Sequence, residues 1–175
     1  MSDRKIIFID VDGPLAWGTW DDGRVYLNEG SREFHIPYPW VKEDCEALQK
    51  ICEETDAELV VSSDWKKFYS IVQLRQIFRN YGITAPIVDI TTHQRLWNKM
   101  SRTSIEHERA LEVVKWVKDN KIKKWIAIDD LDLYHTFKWM TPKVPMWRHV
   151  QVDGDHGYGG RLRDKVEECI NKLNK

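Results

Sequence analysis

Asp10 and Asp12 flank Val11 at the end of a compact apolar run, Ile6–Val11 (IIFIDV). Alternate side chains of an extended chain share a face, so both carboxylates are expected to reach one site. Two anions held that close are costly unless a hard divalent cation neutralises them. Gly13 follows, a residue that lets the backbone turn tightly and present N–H groups to an anion. An ordinary D-x-D-G turn after a strand looks the same, so this pair alone does not decide the chemistry.

Further groups of suitable type recur along the chain. Asp129 and Asp130 follow the apolar run Lys124–Ile128 and supply a far wall for a magnesium site, which needs one or two carboxylates beside water and phosphate oxygens. Which of the two binds the metal is left open, and the alternative is a capping turn, because Asp is common after strands. Asp132 reads as a loop acid. Ser62 and Ser63 end a second apolar run, Ala57–Val61, just before a helical stretch, so their hydroxyls and the helix start would cradle a phosphate. Arg109 near the start of a later helix would hold both a phosphate and an anionic nucleophile, or else be a solvated helix arginine. Six histidines show no ligand spacing. Asp153-Gly154-Asp155 lacks the later ligands of a calcium loop.

These groups need a scaffold. Strands are expected at Ile6–Val11, Ala57–Val61, Ile87–Ile90, Lys124–Ile128 and His149–Val152. Helices are expected over Trp40–Glu54, from an Asp64 cap to about Tyr81, over Ser104–Asn120 and over Leu162–Leu173. Residues 14–39 carry turn signals around short β-formers and read as a hairpin-like flap insertion. Strands alternating with helices in this rhythm indicate an α/β fold, a Rossmann-like three-layer sandwich around a mostly parallel sheet. The expectation is one domain over 1–175. All three polar clusters then fall at strand carboxyl ends, where open α/β sheets bind ligands.

Composition sets wider bounds. At 175 residues, 42% hydrophobic and 31% charged, the chain has the profile of a globular domain rather than a disordered one. Its N-terminus reads as neither signal peptide nor membrane span; Cys45, Cys52 and Cys169 show no metal-ligand spacing, and Cys45 and Cys52, seven apart on one helix face, read as core thiols rather than a disulfide, so a reducing cytoplasm and no membrane are expected. Nine tryptophans lead us to expect some at a cleft or contact surface. The net charge of −1 conceals a middle segment, residues 65–124, with 13 basic and 5 acidic side chains. That segment either faces a polyanion or is a solvated basic face.

In this order, IIFIDVDGPLA, LVVSSDW, ERALEVVKWV and WIAIDDLD resemble the haloacid dehalogenase (HAD) superfamily of phosphohydrolases, most closely the HAD domain of Swiss Army knife RNA-repair proteins. The resemblance implies a HAD-like fold with Asp10 as nucleophile and Asp12 as general acid, then base. It also implies magnesium held by the Asp10 carboxylate, the Asp12 carbonyl and Asp129 or Asp130, with phosphate bound by Ser62, Ser63, Gly13 and Arg109. The family's third motif usually carries lysine, and Arg109 stands in its place. Pro14 removes one backbone N–H from the cradle. Asp12 separates phosphate chemistry from dehalogenation, because dehalogenases of the superfamily lack an acid there.

Neither insertion is large enough for a full cap domain, so the open site admits bulky substrates such as a nucleic-acid end or a phosphoprotein and does not exclude nucleotides; a nucleic-acid terminal phosphate or a nucleotide is the expected substrate. The basic loop at 93–102 with Trp97 would suit such a substrate, or be a solvated loop with Trp97 in the core. Trp17 and Trp20 would close over the site or pack the flap down, and Lys66 is a candidate phosphate partner. The alternative from another class is a catalytically inactive HAD-like module that binds nucleic acid or protein. Oligomeric state is not legible in the sequence.

Overall fold

Short runs of β-branched and aromatic residues, buried on both sides, build the centre of this protein. The structure is a computed structural model that describes residues 3–16, 40–92, 105–139, 144–153 and 160–175. Among the described residues five strands run β1 (Lys5–Ile9), β2 (Ala57–Val61), β3 (Ile87–Ile90), β4 (Lys124–Asp129) and β5 (His149–Gln151). They form one sheet in the order β3-β2-β1-β4-β5, with every pairing parallel. Helices α1 (Lys42–Thr55), α2 (Ile71–Asn80), α3 (Ile105–Asp119), α4 (Leu133–Trp139) and α5 (Val166–Leu173) cover it. The expected α/β architecture is thus present.

Period-two alternation sorts the strands into two cores. Ile7, Ile9, Leu59, Val61, Ile126 and Ile128 pack with residues of α1, α2 and α5, including Leu48, Phe78 and Leu173. Ile6, Phe8, Val60, Trp125 and Ala127 pack with residues of α3 and α4, including Val113, Trp116 and Phe137. Phe8 meets Trp116 and Trp125 edge-on at centroid distances of 5.5 and 5.7 Å. Burying a side chain of that size contributes about 2–3 kcal/mol.

Several boundaries differ from expectation. β1 ends at Ile9, so Asp10 and Asp12 stand in the turn that follows it. The helix expected from Asp64 is a four-residue 3-10 turn, Asp64–Lys67, capped by Ser63 rather than Asp64, and a separate α2 follows. Ser70 and Gln73 form a capping box at the start of α2, which halts any run-through from the earlier turn. α4 was not anticipated. Asp132 caps it, its Oδ1 accepting from the Tyr134 N–H at 3.0 Å. The final helix likewise opens as a 3-10 turn, Leu162–Lys165.

At the carboxyl end of the chain, buried Asp44 of α1 accepts from both Arg161 and Arg163, binding the last turn to the first helix. The three cysteines are free and buried, as core thiols. Among the described residues, no helix is long and apolar enough to cross a membrane. Residues 17–39 of the expected 14–39 flap, with Trp17 and Trp20, the basic loop at 93–102 with Trp97, and Ser104 at the expected start of the third helix lie outside the described residues.

Candidate active site

Strand register lines up the polar groups. Ile9 of β1 stands beside Val61 of β2 and Ile128 of β4, so the next residue on each, Ser62, Asp10 and Asp129, falls in one row across the carboxyl edge. Backbone bonds hold the row: the Asp10 N–H donates to the Ile128 carbonyl at 3.0 Å and the Ser62 N–H to the Ile9 carbonyl at 2.9 Å. Three buried apolar runs of the sequence thus place three distant polar residues together.

Arg109 of α3 spans that row and is only 5% exposed. Its Nη1 lies 2.9 Å from Asp10 Oδ2, 3.0 Å from Asp129 Oδ2 and 2.6 Å from the Ser62 carbonyl. Its Nη2 stands 3.6 Å from Asp64 Oδ1. Burial pulls the guanidinium pKa down, but the Asp10 and Asp129 charges outweigh it and hold it above its ordinary value. Arg109 stays cationic.

Asp10, Asp129 and Asp130 each offer an oxygen within 4.8 Å of the others. Backbone steadies two of these carboxylates: Asp10 Oδ1 accepts from the Val11 N–H at 2.8 Å, and Asp129 Oδ1 from the Leu131 N–H at 3.0 Å. Burial and then the Asp10 charge push the Asp129 carboxyl well above the usual range, against the pull of Arg109. The same two causes raise Asp130 to about 6. One arginine does not neutralise this cluster, and a group of carboxylate oxygens this close suits a hard divalent cation.

Asp12 sits apart from the three. Both of its oxygens accept from the Trp65 indole N–H, each at 3.0 Å. Burial and then the Asp10 charge raise its pKa to about 7, with the Trp65 bond opposing. That value lies where a group can both give and take a proton near neutrality.

The glycine and serines take distinct parts. Gly13 has φ +90, and its N–H donates to the Ala16 carbonyl at 2.9 Å within the turn, so the glycine's visible contribution is space rather than an anion donor. Ser63 Oγ accepts from the Trp65 N–H at 3.4 Å and closes the 3-10 turn. Ser62 Oγ is buried without a hydrogen-bond partner among the described residues.

Lys66 is spoken for. Its buried ammonium contacts the Glu112 carboxylate and donates to Thr91 Oγ1 at 2.8 Å, while Thr91 Oγ1 donates to Glu112 Oε2 at 3.0 Å. Glu112 lies one helical turn beyond Arg109, so the candidate phosphate partner instead braces the helix that carries Arg109. Sequence reasoning missed this pairing and the Trp65–Asp12 bond, and nothing in the local sequence signals either.

A parallel sheet that gathers these acids at its carboxyl edge defines a Rossmann-like α/β protein. A family model described as the HAD domain in Swiss Army Knife RNA repair proteins matches residues 6–158, and the chain belongs to that family within the haloacid dehalogenase superfamily of hydrolases. A solved structure described as a HAD superfamily (subfamily III A) hydrolase from Legionella pneumophila is similar at 15% identity and a TM-score of 0.43, covering 98% of this chain and 86% of its own. No curated protein sequence matches the chain.

Proposed function

We propose that this protein hydrolyses phosphate monoesters through an aspartyl-phosphate on Asp10, with magnesium as cofactor. The observation that carries the reading is the convergence of Asp10, Asp129 and Asp130 within 4.8 Å beside the buried Arg109 guanidinium. In this reading the carboxylates of Asp10, Asp129 and Asp130, with the Asp12 carbonyl, would hold the ion. When bound, magnesium would supply Lewis-acid polarisation of a phosphoryl oxygen and relieve the anionic crowding.

The chain's own groups do the rest. Arg109 and the Ser62 hydroxyl bind the phosphoryl oxygens, with Ser63 and Gly13 shaping the turns around them. An Asp10 oxygen attacks phosphorus as the bond to the leaving oxygen breaks, and the Asp12 carboxyl passes its proton to that oxygen. Asp12, now a carboxylate, takes a proton from water. The water oxygen attacks phosphorus, the bond to Asp10 breaks, and inorganic phosphate leaves with both aspartates restored. Splitting the displacement in two makes a very slow hydrolysis accessible.

For the substrate we propose a nucleic-acid terminal phosphate or a nucleotide. The RNA-repair setting of the matched family supports this, as does the basic middle of the chain. The test is magnesium-dependent phosphate release from p-nitrophenyl phosphate, nucleotides and oligonucleotides phosphorylated at either end. Release in magnesium, none in EDTA and none from Asp10→Asn is expected. Turnover unchanged in Asp10→Asn would remove the nucleophile. Binding of oligonucleotides with no phosphate release from any ester would instead make the chain an inactive binding module.

A further inference from the structure

We propose that Trp65 is a positioning residue for proton transfer: its indole N–H fixes the Asp12 carboxyl where it meets the leaving oxygen of the substrate. This rests on the phosphohydrolase reading above.

The geometry is specific. Asp12 lies in the turn after β1, and among the described residues the indole N–H is the side-chain donor to its carboxylate, at 3.0 Å to each oxygen. A bond shared by both oxygens keeps the open edge of the carboxylate turned toward the indole N–H. Trp65 itself has little freedom. It is 3% exposed, meets Trp40 edge-on at 5.7 Å and lies 5.5 Å from Tyr69. Its backbone N–H is held by Ser63 Oγ at 3.4 Å, in the turn that follows the row residue Ser62.

One rigid turn therefore fixes both the phosphate-side serine and the orientation of Asp12. An acid that must give a proton to one oxygen and then take one from a water at the same place needs that constancy. A carboxylate without this tether would be free to turn toward the ion that Asp10, Asp129 and Asp130 would hold, and so be lost as an acid. Asp12 supplies no carboxylate oxygen to that group.

The expected signature depends on the leaving group. A dinitrophenolate leaves without protonation, whereas a nucleoside alkoxide does not. With enzyme in excess, so that only the first step is read, Trp65→Phe should release nucleoside from a nucleoside monophosphate at least about tenfold more slowly than wild type. It should slow release of dinitrophenol from dinitrophenyl phosphate by less than about threefold. Replacing Trp65 by its benzothiophene analogue keeps the ring shape and removes only the N–H, so packing loss is controlled for, and the same split is expected. In the wild type, the Trp65 indole proton resonance should move on Asp12→Asn. Equal slowing on both substrates, no slowing with the analogue, or an unmoved resonance would each overturn the positioning role. Wild type releasing neither product in magnesium would instead bring down the phosphohydrolase reading, and this inference with it.

Discussion

Gly13 lies directly against Asp130: a Cβ built on Gly13 would stand 2.7 Å from the Asp130 Cγ. The glycine is also at φ +90, outside the region ordinary side chains adopt. The tight turn after the first strand and the closeness of the third carboxylate are therefore one feature.

Gly13→Ala should act on both. Backbone strain of about 1–2 kcal/mol is expected. Displacement of Asp130 should weaken magnesium binding by about tenfold or more, a loss of about 1.4 kcal/mol. Thermal melts with and without magnesium read the first, and calorimetric titration with magnesium reads the second.

Stability should depend on pH in an unusual direction. The folded pKa of Asp12, about 7, and of Asp130, about 6, lie above the ordinary value of 3.8, and Asp129 is raised too. For such groups the native state holds the extra protons, so their favourable contribution is present below pH 3.8 and is lost as pH rises to about 7. The metal-free protein should therefore lose melting temperature as pH rises from about 4 to about 7. Magnesium should restore more of it at pH 8 than at pH 5, because protons compete with the ion for the carboxylates. Scanning calorimetry with and without EDTA measures both.

Arg109→Ala should be costly twice over. It strips the cation from Asp10 and Asp129 and leaves buried anions uncompensated, a loss of about 3–5 kcal/mol. It also removes the proposed phosphate contact. Arg109→Lys should recover part of the stability but not all of the three contacts of Nη1, since an ammonium lacks the planar fork. Denaturant melts separate the variants.

The sheet was largely legible because its strands are continuous apolar runs. IIFI, AELVV and KWIAI each end at the polar residues that stand in the row, so topology and the Ser62–Asp10–Asp129 alignment follow from a parallel register. Local signals also existed where the reading failed. Ser70 and Gln73 spell a capping box that ends the first turn, yet Asp64 after Ser63 looked like the better cap. α4 is seven residues long, too short to show a period. What was not legible is contact between distant side chains: Trp65 with Asp12, Lys66 with Glu112, and Gly13 with Asp130. Those depend on how layers pack, and sequence spacing carries no record of it.

Asp44 offers a test away from the site. It is fully buried and accepts from Arg161 and Arg163. Asp44→Ala removes the buried acceptor shared by Arg161 and Arg163 and should cost about 1–3 kcal/mol in denaturant melts, since Arg163 is partly exposed and also stands 3.8 Å from Glu43. Magnesium affinity of the folded fraction should be unchanged within about twofold, because the additive range applies to separated sites.

The central claim is that Asp10 becomes phosphorylated. The most direct measurement is to quench the protein in acid during turnover of a phosphate monoester with magnesium, digest it, and locate the phosphoryl group by mass spectrometry. A phosphoryl group on the peptide carrying Asp10, absent in Asp10→Asn and in EDTA, is the predicted result. Phosphate release during turnover with no phosphorylated Asp10, or with the group on another residue, would contradict it.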